Sequence, residues 1–207
     1  MPTTDPIIFI IDDDEGIRTS VSRSLTKRGF VVETFASAQT FLDTYDSDQP
    51  GCIILDYGMP GMSGLELQEK LVSENTTLPI IFITGHGGVP ESVQAMKAGA
   101  IDFLEKPFRT DVLVERIGFA LKISAETNEM REKAQRSRKM LDALTSREKE
   151  IVDMIVNNPS NTTSKEIARA LSISPRTVDH HRARILEKTK AKSMVELIDI
   201  AIASKRT

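Results

Sequence analysis

The sequence predicts an α/β fold, a doubly wound five-stranded parallel sheet, followed by a small all-α domain and joined to it by a helical linker. Three observations lead there. Strand candidates at 7–11, 31–35, 53–55, 80–84 and 101–104 alternate with helical patterns, which implies βα units. From residue 144 to 204 every pattern is helical. Charge also reverses along the chain: residues 1–121 carry 9 Lys/Arg against 18 Asp/Glu, whereas residues 122–207 carry 18 against 12. Opposite signs in two parts imply different partners, and the basic part points to nucleic acid.

The first strand is "IIFII", apolar at every position and so expected to be buried on both faces. It runs into "DDDE" at 12–15. Helical patterns follow at 17–28, 38–46, 64–73, 90–98 and 110–121, with Gly29, Gly51 and Gly99 where turns are needed. Residues 122–143 contain no Gly or Pro and read as a helical linker. Ile123, Thr127, Met130, Ala134, Ser137, Leu141 and Leu144 trace a weak heptad seam along it, two of whose members are polar.

The last part opens with "LTSREKEIV", in which Thr145 and Glu148 form a capping box. A loop, "NNPSNTT", precedes the short helix "SKEIARAL", with a further capping serine at its start. "SIS" is a tight turn, and "PRTVDHHRARILEKT" is a helix with proline at its first position.

Composition excludes several classes. No apolar run approaches the roughly 20 residues that span a bilayer. The start "MPTTDPIIFI" lacks the pattern of a secretory signal. Cys52 is the only cysteine, so neither an internal disulfide nor a cysteine-based zinc site is available, and it reads as a small buried residue. A cytoplasmic location without a membrane partner is expected.

Sites in a doubly wound sheet lie beyond the carboxyl ends of the strands. Asp12 and Asp13 end the first strand, Asp56 the third and Thr84 the fourth. Clustered carboxylates with an open coordination sphere suit Mg2+. A carboxylate can also attack a phosphoryl group, and Lys106, after the fifth strand, can hold a phosphoryl oxygen. Asp14 reads as a solvated charge or as a cap for the next helix.

These residues, with "MPGMSG" at 59–64, "AGAIDFLEKPF" at 98–108 and the Lys106–Pro107 pair, resemble the CheY-like receiver of two-component response regulators over residues 5–121. The resemblance implies that Asp56 is the phosphoacceptor. It implies that Asp12, Asp13, Asp56 and the backbone carbonyl of Gly58 bind Mg2+, that Thr84 and Lys106 contact the phosphoryl group, that Phe103 is the switch aromatic, and that the peptide before Pro107 is cis. Gly58 departs from the larger side chain often found there, which leaves the autophosphatase rate open. A rival resemblance, to haloacid-dehalogenase-type phosphatases, rests on the Asp12–Asp14 spacing, but Gly16 stands where Thr or Val is usual.

Residues 144–204 resemble the LuxR-type helix-turn-helix through "LTSREKEI", "SKEIARALSISPRTVDHHRARILEKTKAKS" and "VELIDIAI". Its second helix presents Arg176, Thr177, Asp179, His180, Arg182, Arg184 and Lys188 as candidate DNA contacts. Asp179, where relatives often carry lysine or glutamate, either accepts from a cytosine amine or leaves phosphate contacts to its neighbours. Adjacent His180 and His181 diverge around a helix and do not chelate together. His181 is expected to be the core or phosphate-facing histidine, and His86 reads as a loop residue rather than a catalyst.

In order and length the chain is similar to the NarL/FixJ type of regulator, and to the FixJ branch in pattern. The implied division is a receiver at 1–121, a linker at 122–143 and a DNA-binding domain at 144–207. The implied partners are a cognate sensor histidine kinase, double-stranded promoter DNA and a second copy on phosphorylation, with room for RNA polymerase. No enzyme activity is expected beyond autophosphorylation and autodephosphorylation. An RNA-binding antiterminator output is the alternative of another class.

Overall fold

The computed structural model describes residues 5–46, 49–85, 89–158 and 163–205. His86 and most of the "NNPSNTT" loop lie outside them. The chain divides into two compact units, Met1–Asn128 and Glu129–Thr207.

In the first unit five βα repeats follow one another: β1 (Ile7–Ile11), α1 (Glu15–Thr26), β2 (Val31–Phe35), α2 (Ala38–Thr44), β3 (Gly51–Asp56), α3 (Gly64–Ser73), β4 (Ile80–Thr84), α4 (Val89–Lys97), β5 (Asp102–Glu105) and α5 (Thr110–Asp142), whose residues from Glu129 onward belong to the second unit. The sheet is wholly parallel in the order β2-β1-β3-β4-β5. The order turns back at β1, so the carboxyl ends of β1 and β3 are neighbours, with Ile11 level with Leu55.

Strand alternation divides the apolar residues between two cores. Phe9, Ile11, Ile53, Leu55 and Phe82 pack with Phe41 of α2, Leu67 and Leu71 of α3 and Ala95 of α4. Ile8, Ile10, Cys52, Ile54, Ile81 and Ile83 pack on the other face with Val21 and Leu25 of α1 and Leu113, Ile117 and Ala120 of α5. Burial pushes the Cys52 thiol up to about 12, as an inert core position requires.

Two boundaries differ instructively from the sequence reading. α1 starts at Glu15 rather than Ile17 because Asp14 caps it, accepting from the amides of Gly16 and Ile17. The expected linker is not a separate helix: α5 runs unbroken over 33 residues, since nothing between 121 and 122 caps or breaks it.

The second unit packs α6 (Ser146–Asn157), α7 (Ser164–Leu171), α8 (Pro175–Thr189) and α9 (Met194–Ser204) around Ile151, Ile155, Ile167, Val178, Ile185 and Leu197. Leu144 joins this core and Leu141 packs against it, so the C-terminal end of the heptad seam is already used within the unit. Met130 remains exposed. The cap of α7 is Thr163, in a capping box with Glu166, and not the serine that follows. The α7–α8 turn begins at Ser172, with φ of 53°, and ends at Ser174, which caps α8 ahead of Pro175.

Gly64 opens α3 directly beneath the end of β3. A Cβ there would overlap the Asp56 carbonyl and crowd the Phe82 ring. Gly64→Ala is therefore expected to lower stability by about 1–3 kcal/mol despite its better helix propensity, read as a lower urea midpoint for unfolding of the sheet-containing unit.

Candidate functional site

Three charged side chains meet beyond the carboxyl ends of β1 and β3. Asp12 is fully buried and Asp56 nearly so. The Lys106 ammonium, from the loop after β5, lies 2.6 Å from Asp12 Oδ2 and 2.6 Å from Asp56 Oδ1. The other oxygens are also held: the Asp14 amide donates to Asp12 Oδ1 at 2.9 Å, and the Gly58 amide to Asp56 Oδ2 at 2.8 Å. Burial raises the Asp12 carboxyl above the ordinary aspartate range, against the lowering effect of Lys106 and the Asp14 amide. Burial alone would lower Lys106, but the two carboxylates together hold it above the usual lysine value.

Thr84 is buried at the end of β4, and its carbonyl accepts from the Lys106 amide at 2.7 Å. The Lys106–Pro107 peptide is cis. Phe103 is half-buried, its ring centroid 6.4 Å from Tyr57 and 6.5 Å from Phe82. The Asp13 side chain is exposed and is not brought into the cluster. Among the described residues no three carboxylate, imidazole or thiol groups stand close enough to share an ion.

In the second unit α8 buries Val178, Ile185 and Thr189 and exposes Arg176, Thr177, Asp179, His180 and Arg184. The Thr177 hydroxyl is engaged with the cap at Ser174, 2.7 Å away. Lys188 is committed inward: its ammonium lies 2.7 Å from Glu148 Oε2, a nearly fully buried carboxylate that also accepts from the Thr145 amide. Burial would raise Glu148, but Lys188 and the Thr145 donors outweigh it and hold the carboxyl below the glutamate norm. The His181 ring keeps one buried nitrogen, Nδ1, without a partner among the described residues, while His180 points to solvent.

The response regulator receiver domain family matches residues 8–118, and the luxR family of bacterial regulatory proteins matches residues 142–201. The chain belongs to the response regulators of the FixJ type. It is 42% identical over 202 residues to the transcriptional regulatory protein FixJ of Rhizobium meliloti strain 1021, covering 97% of each chain. It is 38% identical over 200 residues to FixJ of Bradyrhizobium diazoefficiens, covering 97% of this chain and 96% of that one. Among solved structures, the response regulator StyR aligns with a TM-score of 0.84 and 39% identity over 96% of this chain and 99% of that one. Full-length FixJ from B. japonicum aligns with a TM-score of 0.57 and 36% identity over 98% of both.

This response regulator is thus a transcription factor, a receiver joined to a LuxR-type DNA-binding domain, and its relatives are transcriptional regulators rather than enzymes. Neither the phosphatase reading nor the RNA-binding reading is favoured. Its partners in general terms are a kinase and DNA, and receivers in general bind Mg2+ for phosphorylation. No helix among the described residues is long and apolar enough to cross a membrane.

Four contributors escaped the sequence reading. Arg18 Nη1 lies 2.7 Å from the Asp12 carbonyl and 2.9 Å from that of Asp13, bracing the acidic turn; a lone arginine one turn into the following helix was the available signal. Tyr57, directly after Asp56, packs edge-on against both Phe82 and Phe103. Glu148 was legible as a cap but not as the partner of Lys188. Ser164, freed from capping by Thr163, donates to Asp179.

Two predictions rest on the buried charges. The folded-state pKa of Asp12 lies above its unfolded value, so its ionisation opposes folding and stability rises as pH falls through the folded value. In buffer free of divalent cations, Asp12→Asn is expected to raise Tm at pH 7 and flatten that acid-side dependence; a lower Tm would contradict this. The folded pKa of Glu148 is depressed, so its contribution is present above the unfolded value and lost as pH falls through the folded one. Glu148→Gln is expected to cost about 2 kcal/mol at pH 7, the gap closing below about pH 4 in denaturation curves of the second unit.

Proposed function

We propose that Asp56 accepts a phosphoryl group from a sensor histidine kinase and that this switches self-association and promoter binding. The observation that carries the proposal is the Lys106 ammonium, 2.6 Å from both Asp12 and Asp56 at the carboxyl ends of adjacent strands. An Asp56 oxygen attacks the phosphorus of phosphohistidine. The P–N bond breaks with its electron pair returning to the imidazole, and an O–P bond forms. Lys106 and the Thr84 hydroxyl then hold phosphoryl oxygens. Gly58 places no side chain over the acceptor, which supports ready access for a small phosphodonor or for hydrolytic water.

The donor set fits Mg2+. Asp12 and Asp56 are two buried carboxylates at adjacent strand ends, and hard oxygen donors suit magnesium. Asp12, Asp56 and the Gly58 carbonyl would hold the ion, Asp13 would have to turn in from solvent to join them, and the ion would supply neutralisation of the transferring charge.

The chain acts in the cytoplasm through a receiver at 1–121, a connecting helical segment at 122–143 and a DNA-binding domain at 144–207. Thr84 drawn toward the phosphoryl group lets Phe103 seat fully against Tyr57 and Phe82. That reshapes the face bearing Val93, Lys97, Asp102, Glu105 and Arg116, across which two copies pair isologously. The Asp102–Arg116 ion pair, 2.8 Å long, is a ready donor of inter-subunit bridges there. α8 lies in the major groove, with Arg176, Asp179 and His180 toward bases and Thr177, Arg182 and Arg184 toward the backbone. Lys188, paired with Glu148, serves packing instead. RNA polymerase is the natural downstream contact for a protein so docked.

Labelled phosphohistidine kinase or acetyl phosphate with magnesium is expected to label the wild type and not Asp56→Asn, and light scattering is expected to show a dimer only in the labelled sample. Labelling retained in Asp56→Asn but lost in Asp12→Asn would transfer the nucleophile to Asp12 and sink the proposal.

A further inference from the structure

We infer that Asp179, held in place by Ser164 at the start of α7, is the residue of α8 that selects cytosine in the major groove. The inference rests on the DNA-binding reading above and deepens it.

Asp179 is an exposed carboxylate in the first half of a helix that also exposes Arg176, His180 and Arg184, the other exposed carboxylate, Glu187, lying near its C-terminal end. Near phosphates such a group is repelled unless something on the DNA donates to it. Its geometry is that of a fixed acceptor. Thr163 takes over the capping of α7, which leaves the next hydroxyl unused by the backbone. Ser164 Oγ donates to Asp179 Oδ1 at 2.5 Å and accepts from Arg182 Nη1 at 3.2 Å. One hydroxyl thus orients both an anion and a cation lying one helical turn apart on α8. The rotamer of Asp179 is set from a second helix before DNA arrives, so less side-chain entropy is lost when it engages a base.

The base follows from donor and acceptor patterns. An ionised carboxylate only accepts. In the major groove guanine offers two acceptors, and thymine offers an acceptor and a methyl group. Adenine offers an amine next to an acceptor, N7, which suits an amide and repels a carboxylate. Cytosine alone offers an amine without an adjacent acceptor on the same base. Asp179 Oδ2, engaged by no other group among the described residues, is the oxygen that would receive it. Arg182, linked through the same hydroxyl, brings a positive charge to the same Ser164 side of α8 and offsets the repulsion of the DNA backbone by this acceptor.

The test uses the full-length phosphorylated chain. Sites are selected from random duplex DNA by binding and sequencing, and affinities on the selected site are then measured by anisotropy. The wild type is expected to require one cytosine per half-site, with replacement weakening binding about tenfold or more. Asp179→Ala is expected to bind the cytosine and replaced sites equally, with other positions of the motif unchanged. Asp179→Asn is expected to move the preference toward adenine, and Ser164→Ala to narrow the cytosine preference several-fold. Circular dichroism confirms that each variant remains helical. If Asp179→Ala keeps the cytosine preference and loses affinity evenly on all sequences, Asp179 only positions Arg182 and the inference is overturned. If the wild type binds no duplex sequence, the DNA-binding reading itself fails.

Discussion

A single lysine reaching across a parallel sheet is the constraint on which the receiver is organised. Order β2-β1-β3-β4-β5 makes β1 and β3 neighbours, and each ends in an aspartate that the cores above and below remove from water. Two such carboxylates side by side repel, and burial makes Asp12 costlier to ionise. Lys106 arrives from the far side of β4 and is shared between them. The rest of the unit keeps this arrangement in register. Gly64 lets α3 start against the Asp56 carbonyl, Arg18 ties the acidic turn to α1, and Asp14 spends its own carboxylate on the cap rather than on the cluster.

The DNA-binding unit solves a similar problem with less burial. Glu148 is sunk at the start of α6, satisfied by its own cap and by Lys188 from α8. The outer face of α8 is thereby fixed in rotation: with Val178 and Ile185 inward and Lys188 tied to α6, Arg176 and His180 face solvent. At the opposite flank Ser164 ties Asp179 and Arg182 to α7. Polar bridges on both sides of a short helix orient it more sharply than its apolar stripe alone, because a stripe tolerates rotation by a fraction of a turn and a hydrogen bond does not.

β1, β3 and β4 were legible because buried parallel strands read as continuous apolar runs, and "IIFII" and "IIFIT" leave little choice, whereas the edge strands "VVETF" and "DFLE" are only partly buried and follow from the alternation with helices. The acidic cluster was legible because strand ends can be counted. Less was visible wherever outcome depended on competition between equal candidates. Asp12 and Asp13 are adjacent carboxylates, and only the pleat decides that the first is buried beside Asp56 while the second is exposed. Thr163 and Ser164 are both competent caps, and one residue of phase decides which hydroxyl reaches Asp179. The basic residues of α8 look alike in sequence, yet Lys188 has a buried partner 40 positions away. The linker looked separable because a domain was expected to end at 121. The helix does not end there, since termination needs a local signal and none is present.

If Asp56 is the phosphoacceptor, as proposed, charge balance at the receiver site gives such a switch a need for an added cation. With Asp12, Asp56 and Lys106 ionised the cluster carries one net negative charge in a buried setting, tolerable because every oxygen has a donor. A phosphoryl group on Asp56 would replace its single charge with about two. Lys106 cannot then serve the phosphoryl oxygens and Asp12 equally, and a fully buried Asp12 stripped of its ammonium would be driven toward protonation. Asp12 could instead hold a divalent cation, which would restore balance and leave Lys106 to the phosphoryl group. The same redistribution would pull on the loop after β5, where the Lys106 amide donates to the Thr84 carbonyl, and through it on β5 itself, where Phe103 rests against Tyr57. Electrostatic demand at one strand end would thus become a mechanical load on the neighbouring strands.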